Sequence, residues 1–238
     1  SIINSPNYIK TEKQRKWLKG NGFSETDLHL SVSVRSFRSE KVSDFVHQLL
    51  ELNIDNTKKL FSEIKKSFPI FLTRDIEIAK NWLRKESKGS ERTGLIASSG
   101  ARRLKAMGID VKNEISAPYW FLNSSDDIRS SYFLEDIATE FDIQGLEIDR
   151  TCLIWGANFH LSNKEWKYQN FKGSKWQNIN QEISKNYLKN TYRVLLTRAR
   201  QGMIILIPEG SDIDYTRPGN FYNETYNYLK EIGIEELF

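Results

Sequence analysis

Hydrophobic and polar positions along this chain follow two periods, and the period switches back and forth. Val42, Phe45, Val46, Leu49 and Leu50 fall on one face of a helix predicted over 39–53, with Ser39 placed to cap it. A Lys-rich helix is predicted over 56–68, a short strand over 69–73, and a third helix over 74–87 that Asp75 can cap. A strand over 93–99 leads into a short helix, 100–108, that Gly108 can end. Upstream, 11–22 reads as a short helix, and LHLSVSVR (28–35) alternates as a strand does. The pattern resumes near 136 with a short strand, then a central strand over 150–156 and a long helix over 182–201. Another central strand (203–208) and a closing helix (221–233) follow. Strand and helix alternating in this way predict a parallel sheet covered by helices, a three-layer α/β domain. Only 157–180 breaks the rhythm, as a polar, aromatic-rich insertion.

Composition narrows this picture without redirecting it. The chain has 238 residues and is 39% hydrophobic, enough for a substantial core and too much for a disordered chain. No apolar run is long enough to cross a bilayer, and SIINSPNYIK lacks a signal-peptide layout. One cysteine, Cys152, excludes an internal disulfide and fits a reducing, cytoplasmic compartment. With only three histidines beside it, no Cys/His zinc site can be assembled, and no metal ligand is assigned. The net charge of +4 permits a polyanionic partner without demanding one.

The chemistry concentrates in NTYRVLLTRARQGMIILIPEG (190–210), where Arg193, Arg198 and Arg200 lead into a core strand. Ile183, Tyr187, Thr191 and Val194 have helical spacing, and Arg198 is four residues beyond Val194, so it is expected to continue a buried stripe. An arginine there must emerge at the edge of the core with an anion opposite, because a buried unpaired charge costs several kcal/mol, on the order of a whole side chain's burial. YRVLLTRARQGMIIL resembles motif VI of superfamily 1 helicases, with Arg193 standing where the family often has tyrosine. The resemblance implies that Arg198 is an arginine finger aimed at the γ-phosphate of ATP, with Thr197 beside it at the nucleotide.

Two more stretches resemble the same family. TEFDIQGLEID (139–149) resembles motif V, with Phe141 in place of the family's histidine. That likeness implies that Thr139 contacts the nucleic-acid backbone. It also implies that Gln144, Gly145 and Glu147 face the nucleotide, Glu147 at its sugar hydroxyls. SVSVRSFRSEKVSDFVHQLL (31–50) resembles motif IV, whose arginine reaches the phosphates; Arg35 is the first choice and Arg38 its rival. The whole is similar to a group of DNA/RNA helicases with a Schlafen-like helicase region, on TGLIASSGARRL, SSYFLEDIATEFDIQGLEID, motif VI and the TRPGNFYNETYNYLKEIGI tail.

No GxxxxGK[ST] loop occurs in the chain, so nothing in it matches a Walker A phosphate cradle. Residues 1–238 are therefore expected to be one RecA-like domain of P-loop NTPase type, the second of a helicase. An N-terminal Walker A/B domain of a longer protein would hold ATP and Mg²⁺, and the fragment alone would be inactive. Single-stranded DNA or RNA is the expected partner. Trp166 and Lys167 of the insertion, and Arg102 and Arg103 of ASSGARRLK, are candidate contacts; a twisted hairpin with paired aromatics and a solvated Arg/Lys helix are the alternatives. A nucleic-acid-binding module, or a nuclease or regulatory ATPase that uses the fold without unwinding, stays open as the second functional reading.

Overall fold

The computed structural model describes residues 11–21 and 37–238. The chain divides into two units, Ser1–Ser36 and Phe37–Phe238. In the first, helix α1 runs from Glu12 to Asn21. The strand predicted over 28–35, and Arg35 with it, lie outside the described residues.

The second unit carries the sheet. Its helices are α2 (Phe37–Leu50), α3 (Ile54–Ile64), α4 (Ile76–Glu86), α5 (Ala117–Leu122), α6 (Glu182–Leu196) and α7 (Asn220–Ile232). Its strands are β1 (Ile70–Thr73), β2 (Thr93–Ala97), β3 (Ile137–Ala138), β4 (Ile148–Ile154), β5 (Phe159–Ser162), β6 (Glu165–Lys172), β7 (Lys175–Asn178), β8 (Ala199–Leu206) and β9 (Glu235–Glu236). Six strands pair in the order β3-β2-β4-β8-β1-β9, and every pairing is parallel.

Alternation along the central strands creates two cores. Leu153 of β4 and Met203 and Ile205 of β8 join Val42, Phe45, Leu49, Tyr192 and Leu229 on one face. Cys152, Ile154, Ile204 and Leu206 point the other way, to Ala79, Trp82 and Leu83 of α4. The period of two thus places helices on both faces, giving the three-layer α/β arrangement expected of a RecA-like domain. The face predicted for α2 is the buried one, although the helix begins at Phe37 and so takes Ser39 into its first turn instead of ending on it. Asp75 does cap α4, accepting from the amides of Glu77 and Ile78. The segment predicted as a short helix near 100–108 is a 3-10 turn, Arg102–Met107, and Gly108 closes it at φ +80°.

The insertion forms a separate antiparallel sheet, β5-β6-β7. Asn163 and Lys164, both with positive φ, make its first two-residue turn. Phe159 pairs across the strands with Tyr168, and Phe171 with Trp176. The hairpin with aromatic cross-strand pairs is what forms here.

Candidate functional site

Arg92, Glu147 and Arg198 each stand one residue ahead of a strand, β2, β4 and β8 respectively. Those strands are neighbours, so the three residues gather on the edge where the strands begin. Helix α6 stops at Leu196, five residues short of the predicted end, and β8 begins at Ala199, four residues before its predicted start. In the last turn the Thr197 hydroxyl donates to the carbonyls of Arg193 (2.9 Å) and Val194 (3.2 Å). Sheet pairing then takes over, since the Ile148 amide donates to the Arg198 carbonyl at 3.1 Å. Arg198 is therefore in the link between helix and strand and not on the helix. The expected stripe is also corrected. Ile183 and Tyr187 are 59% and 67% exposed, while Tyr192, Leu195 and Leu196 are the residues buried against the sheet.

The three guanidiniums of this segment part company. Arg193 reaches Glu51 at the end of α2, 3.6 Å away. Arg200 faces Asp149 at 3.4 Å. Arg198, half-buried, donates from Nη1 to the carbonyl of Leu146 at 3.1 Å. A bulge explains the second contact. Between the Ile148–Ala199 and Arg150–Gly202 pairs, Arg200 and Gln201 stand opposite the single residue Asp149. Asp149 accepts from Gln201 Nε2 (3.1 Å) and from the Arg92 amide (2.8 Å). Sequence reading missed Arg92 and Asp149. Arg92 ties this edge to α5, with guanidinium bonds to the Trp120 (3.0 Å) and Asn123 (2.9 Å) carbonyls. Its position directly before a strand was the available signal.

The segment 139–147 runs from the end of β3 to the start of β4, so it crosses from one edge of the sheet to the other. At the far edge, Thr139 is 7% exposed, and its hydroxyl and amide both donate to Asp142 Oδ2, at 2.6 and 2.7 Å. That hydroxyl holds a turn, which takes it away from a phosphate. At the near edge, Gln144, Gly145 and Glu147 are exposed. Gly145 has φ +80°, and a Cβ there would meet nothing within 4 Å. The backbone conformation, rather than lack of room, calls for glycine.

The far edge, where the strands end, is built differently. Tyr192, fully buried, accepts from the Gly156 amide (3.1 Å) and donates to Asn158 Oδ1 (3.0 Å). Asn158 Nδ2 in turn donates to Ser98 Oγ at 3.1 Å. Glu140 accepts from both the amide and the hydroxyl of Ser99, at 2.8 and 2.7 Å, which occupies the polar groups that open ASSGARRLK. Trp166 is 8% exposed, stacks on Phe159 at 4.4 Å and donates its indole N–H to the Leu50 carbonyl at 2.9 Å. It belongs to the core, so its ring presents no face for a base. Arg103 is drawn to Asp214 at 2.5 Å, whereas Arg102 is exposed and reaches the Phe171 carbonyl at 3.4 Å. Lys167 is partly exposed beside Glu165, 3.2 Å away.

Burial pushes the Tyr192 phenol and the Cys152 thiol far up, so both stay neutral. Among the described residues, no group of three or more His, Cys, Asp or Glu side chains is placed to hold a metal ion, and no helix is long and apolar enough to cross a membrane.

The sequence profile of the Schlafen group 3 DNA/RNA helicase domain matches residues 2–209. No curated protein and no solved structure matches the chain. The profile covers most of the chain, which therefore belongs to the Schlafen group 3 helicase domain family.

Proposed function

We propose that this member of the Schlafen group 3 helicase domain family is the second motor domain of an ATP-dependent DNA/RNA helicase or translocase. Its nucleotide site is shared with an N-terminal Walker-bearing domain, which supplies the β- and γ-phosphate cradle and Mg²⁺. Bound ATP would bring the phosphoanhydride whose cleavage drives the motor. This chain's part is to present donors to it. Arg198 faces the charge that develops during phosphoryl transfer, Glu147 meets the sugar hydroxyls, and the Gly145 turn lets backbone approach closely.

The observation that carries the reading is the hydrogen bond from Arg198 Nη1 to the Leu146 carbonyl at 3.1 Å. It joins the two stretches that resemble motifs V and VI at one sheet edge, with the guanidinium next to Gly145 and Glu147 rather than sealed in either core. The test is Arg198→Ala in the full-length protein. ATP turnover should fall by roughly 10³–10⁵-fold. Near-normal turnover would remove Arg198 from the site, and turnover without strand displacement would favour a regulatory ATPase.

A further inference from the structure

Four guanidiniums lie along the edge where the strands begin, and three of them are committed. Arg92 donates to the Trp120 and Asn123 carbonyls, at 3.0 and 2.9 Å. Arg150, in β4, is paired with Glu91, and its side chain is 11% exposed. Arg198 donates to the Leu146 carbonyl at 3.1 Å. Arg200 differs. Its side chain is 57% exposed, and among the described residues it is held only by an ion pair, 3.4 Å from Nη2 to Asp149 Oδ1.

The β-bulge explains why that pair is loose. Arg200 and Gln201 share Asp149 as the single residue opposite them. Gln201 Nε2 donates to Oδ1 at 3.1 Å, the same oxygen that Arg200 faces, and the Arg92 amide donates to Oδ2 at 2.8 Å. Each carboxylate oxygen therefore keeps a donor when Arg200 leaves. Asp149 itself is fixed, with a side chain 16% exposed and an amide that donates to the Arg92 carbonyl at 2.9 Å. The carboxylate is the anchored partner and the guanidinium the movable one. An exposed pair of this length holds weakly, whereas a guanidinium makes short, charge-assisted bonds to phosphate oxygens.

Position adds to this. Arg198 and Arg200 are two residues apart, so their Cα atoms are at most about 7 Å apart. Ala199 between them is packed into the core, and both guanidiniums reach toward the chain that begins β4, one to Leu146 and the other to Asp149. A polyphosphate, charged along its length, can engage the two together.

We propose that Arg200 is a second arginine of the nucleotide site, parked on Asp149 while the site is empty and transferred to a phosphate oxygen of the bound nucleotide. This rests on the function proposed above, in which Arg198 meets the same triphosphate. Asp149 then competes with the nucleotide for Arg200 and sets how tightly the nucleotide is held.

The test is equilibrium binding of a fluorescent, non-hydrolysable ATP analogue to the full-length protein, with ATP turnover and the thermal midpoint measured beside it. Arg200→Ala should weaken analogue binding about tenfold and raise the KM for ATP to match, with kcat and the midpoint little changed, since the contact is made in the ground state. Asp149→Asn keeps an acceptor for the Arg92 amide and removes the competing charge, so it should tighten analogue binding by about threefold. Arg200→Lys should restore part of the affinity that Arg200→Ala loses, as a point charge without the fork. Analogue binding unchanged in Arg200→Ala would overturn the assignment. So would Asp149→Asn weakening the analogue as much as Arg200→Ala does, with both midpoints lowered, because the pair would then be structural. Arg198→Ala, run in parallel, keeps the two readings apart. Collapsed turnover in Arg198→Ala with normal analogue binding in Arg200→Ala removes Arg200 alone, whereas near-normal turnover in Arg198→Ala removes the shared site and Arg200 with it.

Discussion

The two edges of the parallel sheet are built from different chemistry. Where the strands begin, the polar groups are charged and partly solvated: Arg92, Glu147, Asp149, Arg198 and Arg200. Where they end, between β2, β4 and α6, the groups are neutral, buried and mutually satisfied: Ser98, Asn158 and Tyr192. An arginine bound to a backbone carbonyl can exchange that acceptor for a stronger, anionic one, because charge-assisted bonds are roughly twice as strong as neutral ones. A closed neutral network gains nothing from exchange and loses a full desolvation term if opened. The first set of groups is therefore suited to meeting a ligand and the Ser98, Asn158 and Tyr192 network to holding a shape, though α6 spans both.

The largest effect that would break this contrast is a kinetic one. Arg198→Ala should remove roughly three to five orders of magnitude of turnover in the full-length protein, yet change the melting temperature of the chain far less, since the side chain is half-buried and outside both hydrophobic cores. At the other edge the effects should be structural. Gly156→Ala places a Cβ 2.3 Å from the Ala101 Cβ and 3.0 Å from its Cα, so the backbone must move, at about 1–3 kcal/mol or more. Tyr192→Phe strands the Gly156 amide and Asn158 Oδ1 and should cost about 1–3 kcal/mol, measured by denaturant unfolding. A stable Tyr192→Phe chain would mean that the far edge is not the rigid one.

The layers of this fold were readable from periodicity because the strands pack on both faces and the helices on one. Val42, Phe45, Val46 and Leu49 announce α2, and the aliphatic runs in β4 and β8 announce central strands. The boundary between α6 and β8 was not readable, and for a physical reason. Leu195, Leu196, Thr197 and Arg198 suit either period, and what ends the helix is pairing with Ile148, some fifty residues distant in sequence. The same long-range pairing makes the bulge that turns Arg200 and Gln201 toward Asp149. Trp166 looked like a base-stacking ring because lysines surround it in sequence. Strand alternation sends those lysines to solvent and the ring inward, where Leu50, in another helix, accepts its N–H. The burial of Thr139 was not readable either, because it depends on Asp142 folding back.

The smallest expected effect separates the edges by pH. His160, 2% exposed, stacks on Phe221 at 4.4 Å and lies 2.7 Å, from Nδ1, to the Ala157 carbonyl. Burial lowers its pKa below the usual value near 6.5, despite the opposing pull of that carbonyl and of Glu224. Between the lowered folded value and about 6.5, the unfolded chain binds a proton that the folded chain refuses. Stability is then whole above about pH 6.5 and declines as the pH falls below it, levelling off under the folded pKa. The arginines of the opposite edge keep their charge throughout this window, so mild acid should weaken the strand-end edge while leaving the donors at the other edge as they were. Denaturant midpoints taken through this pH range should show the decline in the parent and a reduced one in His160→Gln. An identical decline in both would place the titrating group elsewhere.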